Sequence, residues 1–325
     1  MKLLFQSPSQ VPSWNLALEE ALFTAMPEDA AFCLLWQNQP SVILGQYQNP
    51  AEEVNLDYAK AHSLPIVRRL SGGGAVYHDL GGLNFTFILP QKNAPHFEEH
   101  FCQPVLQTCQ HFGIPAQVSG RNDLTVNGRK FSGTASYERD GKVLFHGCIL
   151  IASDLTTMAQ VLTPPADKFQ SKAIASVSSR VVNLQACCPG LMPEAFSHVL
   201  QEQLPYDTGK ALPVSILEQA DFLQKNRYAT WRWNFGDSPL YAVTKRRRFP
   251  GCGTLTAELE VVGGNIAAIR FSGDFFSRRP PAELADRLIG CSLQRSALTQ
   301  ALSSLCLSDY FRQIQTADFL DWLAL

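Results

Sequence analysis

The 325 residues contain no run approaching the ~18 consecutive apolar residues that a membrane span requires. Met1-Lys2-Leu3-Leu4-Phe5 meets the polar Gln6-Ser7-Pro8-Ser9 too early for a secretory leader. The sequence therefore points to a cytoplasmic protein with no membrane partner. Charged residues are scarce, at 17% against 46% apolar, a balance that excludes a disordered or low-complexity chain. Neither sign of charge dominates: 27 Lys and Arg stand against 29 Asp and Glu. No overall basic field invites nucleic acid, so any polyanion site must be local. The nine cysteines are odd in number and contain no C-x-x-C. That argues against a disulfide framework and a structural zinc site, and for buried thiols in a reducing compartment. G-x-x-x-x-G-K-[ST], G-x-G-x-x-G and H-E-x-x-H are all absent. P-loop phosphoryl transfer, a Rossmann dinucleotide site and a metalloprotease-type zinc helix are thus unsupported.

What is present reads as a large domain followed by a smaller one. Trp14, Ala17, Leu18, Ala21, Leu22 and Ala25 keep helical spacing behind a candidate N-cap, Ser13. Ala31 to Trp36 and Ser41 to Leu44 read as two buried strands joined by the Asn38-Gln39-Pro40 turn, and Ala51 to Ala61 as a helix. Ile66 to Arg69 and Ala75 to His78 flank a glycine loop, Leu83 to Leu89 is a further strand, and Phe97 to Phe112 is helical in pattern. Asn127-Gly128 and Asp140-Gly141 each predict a type I′ hairpin, which makes the sheet mixed and largely antiparallel. The fold class is therefore α/β of the α+β kind. Leu155 to Val161 and Pro193 to Leu204 are later helices. Past the Trp231, Trp233, Phe235 cluster and a basic run, Lys245 to Arg248, the pattern changes to strands around a Gly263-Gly264-Asn265 turn and then helices. This predicts domains at 1–240 and 246–325.

The densest chemical signal is Arg68-Arg69-Leu70-Ser71-Gly72-Gly73-Gly74-Ala75-Val76-Tyr77-His78-Asp79. Consecutive glycines bring unhindered N–H groups close to a ligand, and adjacent arginines add charge-assisted bonds suited to phosphate. The same residues would equally make a tight turn with two solvated arginines. In Gly128-Arg129-Lys130-Phe131-Ser132-Gly133, strand alternation sends Lys130 and Phe131 to opposite faces, so a core Phe131 aims the ammonium across the sheet. There it could meet charge growing on a phosphorus or carbonyl oxygen, although strand lysines are commonly just exposed. Asp123 and the His146-Gly147-Cys148 segment complete the polar set. His78 and His146 fit no metal spacing and suit satisfied core positions as well.

Together with Gly120-Arg121-Asn122-Asp123-Leu124, Ser176-Val-x-Ser-Arg180-Val-x-Asn183-Leu, Asn15-Leu16-Ala17-x-Glu19-Glu20 and Trp231-x-Trp233-Asn234-Phe235-Gly236, these segments resemble, in order, the motifs of the lipoate-protein ligase A family. The resemblance spans nearly the whole chain, including a small α+β C-terminal accessory domain behind a biotin/lipoyl-ligase-like catalytic domain. It implies a two-step ligase: lipoate and ATP give lipoyl-AMP and pyrophosphate, and a lysine of an acceptor domain then takes the acyl group. It implies ATP contacts at Arg69, Gly74, Ala75, Val76, Tyr77 and Lys130, with Lys130 catalytic. Lipoate contacts are implied at Lys130, Ser71, Gly73, His78 and His146. Mg²⁺ would accompany ATP, with Asp123 as candidate support. Implied partners are the lipoyl domains of 2-oxoacid dehydrogenase E2 subunits and the glycine-cleavage H protein.

Two segments depart from the family pattern. His78-Asp79-Leu80-Gly81-Gly82 ends in glycine where many members have asparagine, and Phe145-His146-Gly147-Cys148 replaces His-His-Gly-Thr. A biotin ligase would carry a Gly-Arg-Gly-Arg loop, which is missing, and the related amidotransferases a cysteine near Ser119 to Asn122, also missing. A lipoyl or octanoyl transferase that uses no ATP, or a non-catalytic lipoyl-binding subunit, remains the alternative.

Overall fold

The computed structural model describes residues 1–48, 50–96, 101–119, 123–162, 180–234, 243–262 and 265–324. The chain divides into two compact units, one of Met1–Leu44, Pro50–Arg69 and Val76–Asn234, the other of Gly45–Asn49, Leu70–Ala75 and Phe235–Leu325.

The strands of the first unit are β1 (Lys2–Gln6), β2 (Ala31–Trp36), β3 (Ser41–Leu44), β4 (Ile66–Arg68), β5 (Val76–His78), β6 (Gly82–Pro90), β7 (Ala116–Ser119), β8 (Asp123–Val126), β9 (Arg129–Arg139) and β10 (Lys142–Leu150). Seven of them form one sheet in the order β1-β2-β6-β10-β9-β8-β7, and β4-β3-β5 form a second. Only β1–β2 and β3–β4 are parallel, so the mixed, largely antiparallel reading holds. Both predicted hairpin turns carry paired positive φ angles, 51° and 73° at Asn127-Gly128 and 51° and 72° at Asp140-Gly141.

Alternation splits the large sheet into two faces. Cys33, Leu35, Leu83, Phe85, Phe87, Val143 and Ile149 point into a core shared with Val105 and Cys109 of the Gln103–His111 helix and Phe196 and Leu200 of the Pro193–Gln203 helix. Burying each such side chain contributes about 1.5–3 kcal/mol, which fixes the strand registers. The opposite face carries the polar residues described below.

Local expectations differ from the structure at three places. The first helix, Pro12–Ala25, starts one residue before Ser13: Val11 is the cap and Pro12 takes the first helical position, where its missing N–H costs nothing. β2 and β3 are the two buried strands expected on either side of the Asn38-Gln39-Pro40 link, which Asn15 holds by donating to Gln37 O and Asn38 Oδ1 (2.9 Å each). The predicted helix over 51–61 is two short ones, Pro50–Glu53 and Leu56–Ala61, the second capped by the Asn55 side chain. The predicted helix over 97–112 is seen as Gln103–His111, with 97–100 outside the described residues.

In the second unit, β11 (Val243–Phe249), β12 (Gly253–Val262) and β13 (Asn265–Gly273) form an antiparallel sheet, followed by four helices between Pro281 and Leu323. Residues 263–264 of the predicted turn lie outside the described residues. Phe271, Phe275, Phe311 and Phe319 build its core through edge-to-face and offset contacts. The basic run lies on edge strand β11, where Lys245 Nζ donates to Leu323 O and Ala324 O at 2.9 and 2.7 Å, closing the last helix. Among the described residues no helix is long and apolar enough to cross a membrane, and all nine cysteines are free.

Candidate active site

One register row crosses five strands of the large sheet on its polar face: Trp36, Asn84, Cys148, Gly133 and Asp123 are successive cross-strand partners. The adjacent row pairs Leu34, Thr86, His146 and Ala135. Glu19 reaches this second row from the first helix. His146 Nδ1–H donates to its carboxylate (3.0 and 3.1 Å), the Thr86 hydroxyl donates to Glu19 Oε1, and Trp36 Nε1 donates to Thr86 Oγ1 at 3.0 Å. Glu19 and His146 are 3% and 5% exposed. A buried carboxylate survives only with such partners. Its neighbour Glu20 turns aside to Arg227 (2.6 Å) and Tyr228 (2.8 Å).

Lys130 reaches the same face through a β-bulge. Leu124 pairs with Ser132 and Thr125 with Lys130, so Phe131 is an extra residue in β9. Phe131 is fully buried in the core, and the phase change places both Lys130 and Gly133 on the polar side. Lys130 Nζ lies over Gly133 and 2.7 Å from Asp123 Oδ1, with both side chains 42% exposed. Val182 N–H donates to Lys130 O at 2.9 Å, and Asn183 clamps Ser153 through two backbone bonds, tying this edge to the 180–184 segment.

The two consecutive arginines have different roles. Arg68 donates to Trp233 O (3.0 Å) and Asn234 O (2.9 Å), while Trp233 Nε1 donates back to Arg68 O at 2.8 Å. Arg69 is anchored to β3, donating to Leu44 O (3.0 Å) and Ile43 O (3.2 Å). Burial pushes its pKa down to about 10 against the opposing pull of Glu19 and Cys148, so it stays cationic at neutral pH. Burial raises the Cys148 thiol against the lowering fields of Lys130 and Arg69.

His78 is held by a relay in which Ser7 donates to Asn15 Oδ1 (2.5 Å), Asn15 to Asn38 Oδ1, and the Asn38 amide to His78 Nδ1 (3.2 Å). Burial, with Arg69 and His146 nearby, lowers its pKa to about 3, so the ring is neutral. An Asn38 amide donating to Nδ1 leaves the His78 proton on Nε2. Tyr77 is buried and its phenol is raised by burial and by Asp79 and Asp154, whereas Val76 is half-buried. Asp79 itself is used locally, accepting from Gly81 N (3.0 Å) and Asp154 N (2.7 Å).

Thus Arg69, Val76, Tyr77, His78, Asp123, Lys130 and His146 belong to the first unit, and Ser71, Gly73, Gly74 and Ala75 to the second. Within the second unit, Gly73 N–H donates to Phe275 O (3.4 Å), Ser71 O accepts from Gln46 N (2.9 Å), and a side chain on Gly72 would overlap Phe275 O. Gly73 has φ 91°, where a side chain would be strained. Gly74 needs neither positive φ nor space, since an added Cβ would meet nothing within 4 Å.

Sequence reasoning gave no role to Glu19 or Gly133. The signal for Glu19 was a carboxylate three residues after Leu16 and four before Phe23, inside a buried helix stripe. Among the described residues no group of three or more His, Cys, Asp or Glu is placed to hold a metal, and Asp123 is occupied by Lys130. These residues do not fit a protein-held metal.

Residues 11–205 match the lipoyl protein ligase A/B catalytic domain family, and residues 238–323 the bacterial lipoate protein ligase C-terminus. The chain belongs to the lipoate-protein ligase family. It is similar to lipoate-protein ligase LplJ of Bacillus subtilis, with 36% identity over 95% of this chain and 96% of the relative. A solved lipoate-protein ligase A bound with ATP superposes with TM-score 0.63 and 27% identity, over 72% of this chain and 97% of that one. An archaeal bipartite lipoate protein ligase from Thermoplasma acidophilum, studied with its E2 lipoyl domain, superposes with TM-score 0.66 and 28% identity over 74% and 98%.

For a lipoate-protein ligase, both sequence departures fall on or beside the site row. Gly82 N–H closes the turn onto Asp79 O (3.2 Å), and buried Asn84, two residues on, brings the amide to the row between Trp36 and Cys148. Cys148 takes the row position next to Gly133.

Proposed function

We propose that this ligase activates lipoate with ATP and transfers the lipoyl group to a lysine amine of lipoyl-acceptor domains. The observation that carries this reading is the Lys130 ammonium seated over Gly133 beside Asp123, in the polar row that also holds Cys148, with the buried Arg69 cation anchored to β3 of the same unit. Bringing a carboxylate against an α-phosphate sets anion against anion, and two fixed cations in a partly buried site offset that repulsion and orient in-line attack. In the first step a lipoate carboxylate oxygen attacks the α-phosphorus, and pyrophosphate leaves. In the second the acceptor amine attacks the acyl carbonyl, the amine loses a proton, and AMP leaves. Lys130 is assigned the developing charge in both steps.

Arg69, Lys130 and the backbone from Gly74 to Tyr77 are assigned to ATP. Since β5 is an edge of the small sheet, one side of its backbone faces away from β3, which suits phosphate approach. Lys130, Ser71, Gly73, His78 and His146 are assigned to lipoate, whose aliphatic chain needs an apolar slot. Magnesium would arrive on the triphosphate and keep most of its waters, and no chemical step is assigned to it. Acceptors are the lipoyl domains of 2-oxoacid dehydrogenase E2 subunits and the glycine-cleavage H protein. The work is divided between a catalytic part, 1–240, and an accessory part, 246–325, in the cytoplasm, where nine free thiols stay reduced.

The test is lipoate-dependent exchange of labelled pyrophosphate into ATP by the purified chain, with octanoate and biotin as comparison acids. Exchange with lipoate and none with biotin is expected. No exchange, together with acyl transfer that needs no ATP, would assign the chain to the transferases instead.

A further inference from the structure

Three of the glycines in the β8–β9–β10 meander around Lys130 have different physical reasons to be there. Gly128 sits in the type I′ turn at φ 73°, a conformation that a side chain resists. Gly147 is enclosed on the core face, where an added Cβ would overlap Gly133 O and come within 2.7 Å of the Phe85 ring. Neither reason applies to Gly133. It lies in the extended backbone of β9 and has no positive φ, so any residue could adopt its conformation. The three nearest atoms to a Cβ built there are Lys130 Nζ, Lys130 Cε and, at 3.5 Å, Asp123 Oδ1. The first two would be overlapped outright. The space that a side chain at 133 would fill is the space the Lys130 ammonium occupies.

The bulge makes this coincidence possible. Lys130 and Gly133 are three residues apart, an odd separation that regular alternation would send to opposite faces. With Phe131 inserted as the extra residue, both point to the polar face, and the lysine folds back over the glycine to reach Asp123. A three-residue loop-back of this kind needs a flat floor.

We propose that Gly133 is a positioning residue for Lys130: its missing side chain is the seat that lets the ammonium lie across the strand beside Asp123, under the Cys148 end of the row. The inference rests on the reading of Lys130 as the catalytic lysine. A methyl group at 133 lifts Nζ off this seat while leaving the strand, the core face and Arg69 as they are. Extended backbone favours alanine over glycine, so the fold is not weakened.

The experiment compares full-length Gly133→Ala, Lys130→Ala and the double variant for single-turnover pyrophosphate release with saturating ATP and lipoate, and for thermal midpoint. Gly133→Ala is expected to slow adenylation by about 10- to 100-fold, the usual effect of a misplacement near 1 Å, with a midpoint at or above that of the wild type. In the Lys130→Ala background the same change is expected to have no further effect, which a purely structural role of Gly133 would not produce. If Gly133→Ala does not fold but the double variant does, the collision with Lys130 is demonstrated directly. Adenylation by Gly133→Ala within twofold of wild type overturns the inference, and so does an equal loss in both backgrounds or failure of both variants to fold. If Lys130→Ala itself keeps wild-type adenylation, the reading of Lys130 fails and the seat has no catalytic role.

Discussion

His146 Nδ1 lies 3.0 Å from Glu19 Oε1, and both residues are buried. The bond joins residues 127 positions apart, from a helix to the middle of a sheet. Removing the carboxylate would break its bonds to the imidazole and to the Thr86 hydroxyl together. Glu19→Ala is expected to lower unfolding free energy by about 2–4 kcal/mol, because it breaks the bonds of two buried donors. Glu19→Gln keeps an acceptor oxygen and should lose at most about 2 kcal/mol. Urea unfolding at pH 7 checks this, and equal losses in the two variants would contradict it.

His78 supplies a pH signature. Its pKa is about 3 in the folded protein and about 6.5 when unfolded. Between those values the unfolded chain binds the extra proton, so this group's stabilisation is complete above pH 6.5 and declines as pH falls toward 3. The slope from this residue is at most about 1.4 kcal/mol per pH unit. Comparing the pH dependence of unfolding for wild type and His78→Gln isolates it. Identical slopes would remove His78 from the account.

Gly74 separates the two substrates. An added Cβ meets no atom within 4 Å beyond its chain neighbours, so Gly74→Val alters chiefly what approaches the loop. ATP should bind at least about tenfold more weakly, equivalent to roughly 1.4 kcal/mol, with lipoate affinity changed much less. Calorimetric titration of each ligand decides it, and an equal effect on both would contradict a phosphate role for this backbone.

Cys148 separates ligase from transferase. Burial raises its pKa, which keeps the thiol protonated despite Lys130 and Arg69. A mixed anhydride with AMP needs no thioester, so Cys148→Ser should keep most acceptor lipoylation. Abolished transfer, with loss of a hydroxylamine-sensitive acyl-enzyme seen by mass spectrometry, would show a thiol nucleophile.

The parts legible in the sequence are those set by nearby residues. Asn127-Gly128 and Asp140-Gly141 dictate their turns locally, and the apolar runs of β2, β3 and β6 declare their burial. Three features depend on distant partners and were not legible. Arg68 and Arg69 look alike in sequence, but Arg68 is bound by Trp233 and Asn234, about 165 residues away. Glu19 reads as half of an acidic pair until Thr86 and His146 are placed beneath it. The bulge at Phe131 exists only in register with β8, so alternation gave the faces of Lys130 and Phe131 correctly but could not bring Lys130 over Gly133.

The central claim is that Lys130, placed by that bulge, carries the charge of adenylation. Loss of a preorganised donor to transition-state charge typically costs ~3–4 kcal/mol, or roughly 10²- to 10³-fold in rate. The most direct measurement is lipoate-dependent ATP–pyrophosphate exchange by Lys130→Ala, with circular dichroism and thermal midpoint confirming that the variant is folded. The expected result is exchange reduced by at least about a hundredfold in a folded protein. Exchange within a few-fold of wild type would contradict the account.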